Sequence, residues 1–304
     1  MEHLRELITQ LQLSGIMLKQ GELMCRHTSF QIGGPAAVMT FPESQEQVAE
    51  IFRLSEKFGI RPAVLGAGTN MLAPDEGLDT LLLETRTGLT RIREVEDGLL
   101  EADCGVTMAR LATFAMERGL SGLEFAHGIP GTVGGGVFMN AGAYDGEMRQ
   151  VVENVTVMDF SGKVRDIPGS EADFSYRHSR FMEEDVLILR VQVRLTPGDR
   201  EKIRGRMAEL MAKRRGSQPL EYPSAGSTFK RPAEGYAAAL IEEAGLKGFA
   251  VGGAQVSEKH AGFVINRGRA TCRDVLALME EIQKTVYARS GVRLEPEVRV
   301  MEGR

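Results

Sequence analysis

Nine residues, GIPGTVGGG at 128–136, give five positions to glycine and one to proline, and no other stretch limits the possible folds of this 304-residue chain so tightly. Glycine loses more backbone entropy on folding than any other residue, so such a run needs a compensating reason. Either the chain makes a set of tight turns there, or its backbone comes very close to something bulky and anionic. About sixty residues earlier, VLGAGTN at 64–70 has the same texture. A strand-like run enters Gly66-x-Gly68, as at the start of a dinucleotide-binding turn of the Rossmann kind. That reading fails, because Met71 holds the third glycine position and Pro74 falls where the opening turns of the helix should run. A phosphate-cradling turn still makes sense: Gly66 and Gly68 expose backbone N–H groups, and Thr69 and Asn70 add side-chain donors. Two such loops can clamp a pyrophosphate; either one can also be a set of tight turns with no ligand.

The length allows two or three domains with sizeable cores, and 42% hydrophobic content argues against disorder. A net charge of -5 gives no reason to expect a general nucleic-acid binder. Cys25, Cys104 and Cys272 are odd in number, widely spaced and without a CxxC, which reads as buried reduced thiols in a cytosolic protein. MEHLRELITQLQLSGI carries early acidic residues and no long apolar run, so it is not read as a signal peptide, and no window approaches eighteen apolar residues. No His/Cys/Asp cluster has metal-ligand spacing, and no metal is expected.

The patterning predicts a short strand over 36–41, then a helix opened by a capping box at Ser44-x-x-Gln47 and stopped by Gly59. The run RPAVLGAG follows as a buried strand, completing a β-α-β start. From about residue 79 short aliphatic runs dominate: DTLLLET, TRIREVE, GLLEADCG, VENVTVMDFSG and DVLILRVQVRL. They predict a mostly antiparallel sheet region with a hairpin turn at Ser161-Gly162, interrupted by one helix from Met108 to Arg118. DREKIRGRMAELMAKRRG and YAAALIEEAGLKG read as helices, and Asp274 as the start of another. VRLEPEVRV alternates cleanly and reads as a last strand. Domain cuts fall near 83 and 197.

VLGAGTNML and GIPGTVGG resemble the paired loops of flavoproteins of the vanillyl-alcohol-oxidase type. With SYRHSRF, PSAGSTFKRP, AGLKG and LEPEV following in that order, the chain is similar to the UDP-N-acetylenolpyruvoylglucosamine reductase family, from HTSFQIGGPA (27–36) to the C-terminus. The short passage between Arg177 and Leu187 resembles its second, loop-deleted class. The resemblance implies an α+β protein with a two-part PCMH-type FAD-binding fold: a small β-α-β subdomain at 1–83 and a mainly antiparallel sheet subdomain at 84–197. A separate α+β substrate-binding domain follows at 198–292, and the last strand, 293–304, rejoins the first subdomain. It also implies bound FAD, NADPH as hydride donor and reduction of an enolpyruvyl nucleotide sugar in peptidoglycan precursor synthesis. A cytoplasmic monomer is expected, with no nucleic-acid partner and no membrane insertion.

By the same resemblance FAD is held by Gly66, Ala67, Gly68, Thr69, Asn70 and Met71, and by Gly128, Ile129, Pro130, Gly131, Thr132, Gly134, Gly135, Asn140 and Gly142. Ala67 stands where glycine is frequent and Thr69 where serine is. Hydride addition beside a carboxylate pushes charge onto that carboxylate, so the site needs a fixed cation and an acid for the neighbouring carbon. Arg177 matches the carboxylate-binding arginine, and a guanidinium fork suits that task. Ser227 matches the proton donor, and Glu297 the glutamate that assists protonation. Lys230, Arg215 and Arg231 are candidates for the substrate diphosphate; Tyr176, His260 and Asn266 are candidates for the nucleotide or sugar, His260 standing where some members carry glutamine. Two other functions are compatible with parts of the pattern. One is a flavoprotein of the same type acting on an alcohol or sugar, which leaves the Arg177, Ser227 and Glu297 contexts unexplained. The other is a non-catalytic nucleotide-sugar module, which predicts no flavin.

Overall fold

The computed structural model describes residues 2–302; Met1, Gly303 and Arg304, which fall in the ranges 1–83 and 293–304 drawn above, lie outside the described residues. The first residues, uninformative as sequence, form a helix, α1 (Glu2–Leu13), that buries Leu7, Ile8 and Leu11. The capping serine does what its position promises. Ser44 Oγ accepts from Gln47 N at 3.3 Å and opens α2 (Gln45–Lys57). The reciprocal bond is displaced by one residue, since Gln47 Oε1 takes the Glu43 amide at 2.8 Å.

Four strands, β1 (Leu18–Leu23), β2 (Pro35–Thr40), β3 (Ala63–Leu65) and β5 (Leu78–Glu84), make one sheet in the order β1-β2-β5-β3. DTLLLET therefore belongs to the β-α-β start and not to the antiparallel region: β5 pairs parallel with β3, Ala63 opposite Leu82. Leu81, Leu82 and Leu83 are all fully buried. A strand covered on both faces reads as an unbroken apolar run whichever way its neighbours point, so sequence cannot assign its sheet.

The antiparallel region is a five-stranded sheet built from β6 (Ile92–Glu96), β7 (Leu99–Asp103), β8 (Val152–Asp159), β9 (Val164–Pro168) and β10 (Val186–Arg194), in the order β9-β8-β10-β7-β6. Val191 in its centre faces Val155 on one side and Ala102 on the other. The hairpin turns where predicted: Gly162 takes φ 87°, and Asp159 Oδ1 accepts from Ser161 N and Lys163 N, each at 3.0 Å. Between β7 and β8 run α3 (Met108–Glu117) and a six-residue helix, α4 (Val133–Phe138), that no propensity would place in a glycine run.

Beyond β10 come α5 (Arg200–Ser217), α6 (Ala237–Glu243) and a small antiparallel sheet of β11 (Ala250–Val251), β12 (Ala254–Val256) and β13 (Val264–Asn266). The last helix, α7 (Cys272–Ser290), starts two residues before Asp274. Thr271 is its N-cap and Asp274 closes the box, each side chain accepting the other's amide at 3.0 Å. The tail is less regular than its alternation suggests. Leu294 and Val298 are buried as the pattern requires, but Val292 is only partly covered and Val300 is exposed, and strand geometry is confined to β14 (Arg299–Val300), which pairs parallel with β4 (Met71–Leu72). Pro296, which has no N–H to offer, stands in the irregular part.

The chain forms two compact units. One comprises the segment ending at Gln20 with Val38–Ala67 and Thr80–Lys213; its core runs from Leu7 and Phe52 through Val155 and Val191 to Met207. The other comprises Gly21–Ala37, Gly68–Asp79 and the segment from Arg214; its core joins Phe30, Ile32 and Leu72 to Ile241, Val275, Leu278 and Ile282. The boundary cuts the first glycine turn between Ala67 and Gly68.

Candidate active site

In the first unit the two glycine stretches meet. A Cβ on Gly66 would lie 2.6 Å from Thr132 Oγ1, so only glycine fits there. Thr132 caps α4 by accepting from Gly135 N at 3.2 Å. The opening question about GIPGTVGGG then has a partly internal answer. A Cβ on Gly134 would meet Cys104 Cβ at 2.8 Å, and one on Gly136 would meet Met108 Sδ at 2.7 Å. These two glycines serve helix packing within the protein. The amides of Val133, Gly134 and Gly135 are also engaged, by Val106 O, Cys104 O and Thr132 Oγ1.

What remains suits an anion. Among the described residues of the first unit, the amides of Ala67, Gly131 and Thr132 have no protein acceptor. In the second unit Gly68 takes φ 62° and sits where a Cβ would be 2.0 Å from His27 O. Gly128, Ile129 and Pro130 form the turn leading in, with Ile129 N bonded to Ala126 O at 3.0 Å. His127, just before them, has a buried Nδ1 without a partner, and burial lowers its pKa. Side-chain-free surface, unengaged N–H groups and an orphaned ring nitrogen are a donor set that fits the pyrophosphate and polar ring edge of FAD.

Arg177 stands in the same unit. It occupies the left-handed region at φ 53°, in a two-residue turn closed by Ser175 N to His178 O at 3.1 Å and His178 N to Ser175 O at 3.2 Å. Its Nη2 donates to Gly142 O at 3.0 Å, and its guanidinium lies 4.9 Å from the exposed Tyr176 ring. Asn140, fully buried and at φ 41°, donates to Ser175 O at 2.9 Å and to Glu147 Oε2 at 3.0 Å, and accepts from Arg149 N at 3.0 Å. Left-handed non-glycine residues gather here, Tyr144, Asp145 and Asp173 among them. Such strain persists only where surroundings over-determine it, and it concentrates at functional sites.

The second unit brings Ser227 and Glu297 together. Glu297 N donates to Thr228 O at 2.9 Å, Lys230 N to Glu295 O at 2.8 Å, and Phe229 bridges to Pro296. Asn70, from the first glycine turn, donates through Nδ2 to Glu297 O at 3.0 Å and accepts from Arg299 N at 3.0 Å, while Met71 pairs with Arg299 in β4. Three motifs spread over more than two hundred residues therefore share one small assembly. Ser227 is exposed; Thr69 and Glu297 are half-buried.

The remaining candidates divide. Lys230 pairs with Glu295, and Arg231 stacks over Tyr236 at 4.2 Å while donating to Gly235 O at 3.3 Å. Arg215 is exposed near the end of α5, its carbonyl accepting from Lys259 Nζ at 2.7 Å. Asn266 is buried with its amide committed to scaffolding: Nδ2 to Phe30 O at 3.1 Å, Oδ1 from Gly268 N at 2.9 Å and Ala270 N at 3.1 Å. His260 accepts from Gly262 N through Nδ1 at 3.1 Å, and burial lowers its pKa, so the neutral ring carries its proton on Nε2. Of the cysteines, Cys104 and Cys272 are buried, with thiols pushed up to about 12 and about 11, while Cys25 is only partly covered. Sequence reasoning passed over His127 and Ser179. Ser179 lies inside SYRHSRF and His127 directly precedes GIPGTVGGG, but their partners, or lack of them, depend on the fold.

Comparison with known proteins bears on both units. Residues 35–168 match a family described as FAD binding domain, and residues 218–301 match the UDP-N-acetylenolpyruvoylglucosamine reductase C-terminal domain. A reductase of that name from Agathobacter rectalis is 44% identical over 301 residues, covering 95% of this chain and 96% of its own. One from Heliobacterium modesticaldum is 46% identical over 283 residues, covering 93% and 90%. Among solved structures, a UDP-N-acetylenolpyruvylglucosamine reductase from Thermus caldophilus superposes with a TM-score of 0.83 at 33% identity, covering 94% of this chain and all of its own. No helix among the described residues is long and apolar enough to cross a membrane.

Proposed function

The chain belongs to the UDP-N-acetylenolpyruvoylglucosamine reductase family, and from that premise we propose that Arg177, Ser227 and Glu297 carry its chemistry. It is an FAD-containing, NADPH-dependent oxidoreductase that reduces UDP-N-acetylenolpyruvoylglucosamine to UDP-N-acetylmuramate in peptidoglycan precursor synthesis. The chemistry that FAD would supply when bound is relay of hydride from NADPH to the enolpyruvyl double bond. Ala67, Gly131 and Thr132 would hold its pyrophosphate through their amides, and Gly66 keeps the turn open. The Arg177 guanidinium grips the substrate carboxylate and holds the charge that develops on it. Ser227 gives a proton to the adjacent carbon, and Glu297 supports that transfer. Arg215, Lys230 and Arg231 meet the diphosphate; Tyr176 and His260 face the nucleotide or sugar.

The observation that carries this reading is the pairing of Glu297 with Thr228 beside Ser227, with Asn70 of the glycine turn bonded to the same glutamate. Stopped-flow absorbance on the FAD-loaded protein tests it. NADPH bleaches the flavin, and the enolpyruvyl nucleotide sugar restores the colour. Ser227→Ala is expected to leave the first phase intact and slow the second by roughly 100-fold or more, in the range for a lost general acid. Equal rates in both phases would remove Ser227 from the mechanism. In the same reading the enzyme works as a cytoplasmic monomer, which a sedimentation mass of 33.3 kDa for the polypeptide checks.

A further inference from the structure

Arg177 owes its left-handed turn to contacts on both flanks, and both reach the same segment. On one side Asn140 Nδ2 holds Ser175 O at 2.9 Å; on the other Ser179 Oγ donates to Phe138 O at 2.7 Å. Asn140 and Ser179 are each fully buried. Asn140 is fixed in turn, since its Oδ1 accepts from Arg149 N and its Nδ2 also reaches Glu147. The anchored segment is the C-terminal end of α4, whose N-terminus is the capped second glycine loop. Arg177 Nη2 closes the arrangement on Gly142 O, two residues beyond Asn140. An arginine with φ 53° does not hold that conformation by itself, since β-carbon crowding disfavours it. Two buried side-chain bonds, one before and one after the turn, fix it at both ends.

We propose that Ser179 and Asn140 are positioning residues for Arg177, forming a two-point clamp through which the cofactor-loop helix α4 sets where the guanidinium stands. The inference rests on the role of Arg177 in gripping the substrate carboxylate. Ser179 and Asn140 touch neither substrate nor the reacting atoms in this account; they act by denying the Tyr176–Arg177 turn its other conformations. A displacement of about 1 Å at such a group costs on the order of 100-fold in rate.

The test uses the FAD-loaded holoenzyme and two readouts. In stopped flow, Ser179→Ala leaves NADPH bleaching of the flavin within about twofold of the parent while slowing reoxidation by the enolpyruvyl nucleotide sugar about 10- to 100-fold; Asn140→Ala, at a position the resemblance also gives to FAD, is read by proteolysis alone. In an Arg177→Ala background, Ser179→Ala adds no further loss, because its effect runs through the missing guanidinium. The second readout is independent of catalysis: limited trypsin digestion followed by mass spectrometry shows cleavage after Arg177 about 10-fold faster in Ser179→Ala, since a released turn opens locally. Ser179→Thr, which keeps the hydroxyl, restores slow cleavage and fast reoxidation in part, and flavin content separates a loose turn from a misfolded chain. Unchanged reoxidation in Ser179→Ala, with unchanged cleavage in both Ser179→Ala and Asn140→Ala, beside a crippled Arg177→Ala, overturns the clamp alone. Additive losses in the double variant overturn it too. Normal reoxidation in Arg177→Ala overturns the assignment of Arg177 and the clamp's purpose with it, even where the trypsin readout shows the turn released.

Discussion

His260, where the resemblance sets a glutamine in some members, can offer the same kind of hydrogen-bond donor. A glutamine amide offers an N–H. A neutral imidazole with Nδ1 accepting from Gly262 N keeps its proton on Nε2 and offers the same kind of donor. Burial lowers its pKa most; a hydrogen bond to its own backbone opposes that, and the charges of Lys247 and Glu242 push it down and up respectively. The consequence for stability has a definite sign. The unfolded chain binds the proton near the ordinary value of 6.5, and the folded chain only at lower pH, so stability is full above 6.5 and falls as pH drops through the window below it. His127, also lowered by burial, acts in the same direction. Melting temperatures between pH 8 and pH 5.5 are therefore expected to fall, and His260→Gln to flatten that fall without abolishing it. An unaltered slope in the variant would show that His260 is not held neutral. Residues of this kind mark the limit of the sequence. Arg177, Ser227 and Glu297 can be proposed from sequence because their motifs are contiguous and chemically distinctive. The tautomer of His260, the orphaned nitrogen of His127 and the bond from Ser179 are set by neighbours far along the chain.

At the scale of elements, α4 is the most instructive misreading. Three glycines in six residues argue against a helix, since each costs about 1 kcal/mol relative to alanine in a helix interior. Thr132 starts it all the same, and close approach of Gly134 to Cys104, open only to glycine, together with the packing of Gly136 on Met108, offsets the propensity. The glycines therefore do different jobs, and alanine separates them. Gly134→Ala puts a Cβ 2.8 Å from Cys104 Cβ, between two backbones, and is expected to cost about 1–3 kcal/mol by overpacking. Gly135→Ala meets only Thr132 Oγ1 at 3.4 Å on an exposed surface and is expected to stabilise the cofactor-free protein by about 0.5–1 kcal/mol. If Gly135 faces FAD, that same substitution weakens FAD binding while raising the apoprotein's melting temperature. Thermal denaturation and flavin fluorescence titration on both variants read the two effects; tighter binding in Gly135→Ala would take Gly135 out of the cofactor site. Elements with ordinary signals were legible: α2 from its serine cap, the β8–β9 hairpin from Ser161-Gly162. The tail was half legible: alternation places Leu294 and Val298 inside, but it also places Val300 there, which is exposed, and it does not report whether the backbone pairs.

For the whole molecule, the interleaving of the chain has a consequence for folding. The second unit draws Phe30 and Ile32 from one early segment and Leu72 from another, and adds them to a core otherwise supplied from beyond Arg214. All three are at most 2% exposed. Asp75, from the same early segment as Leu72, also caps α7, its carboxylate accepting from Cys272 N at 2.7 Å and Arg273 N at 3.2 Å. Full burial of a large apolar side chain contributes about 1.5–3 kcal/mol, so losing three withdraws roughly 5–9 kcal/mol. A domain's whole net stability is about 5–15 kcal/mol. A fragment limited to residues 218–301, the span of the C-terminal family match, is therefore expected not to reach a fixed fold. It should show helical far-ultraviolet dichroism with little amide protection, whereas the intact chain protects β13 and α7 in hydrogen exchange. Grafting 21–37 and 68–79 back through short linkers should restore protection in those elements. Full protection in the bare fragment would mean that the early segments decorate the unit without completing its core. The sequence hides this arrangement for a plain reason: cuts near 83 and 197 follow changes of texture along the chain, and a core assembled from three separated segments leaves no such change to read.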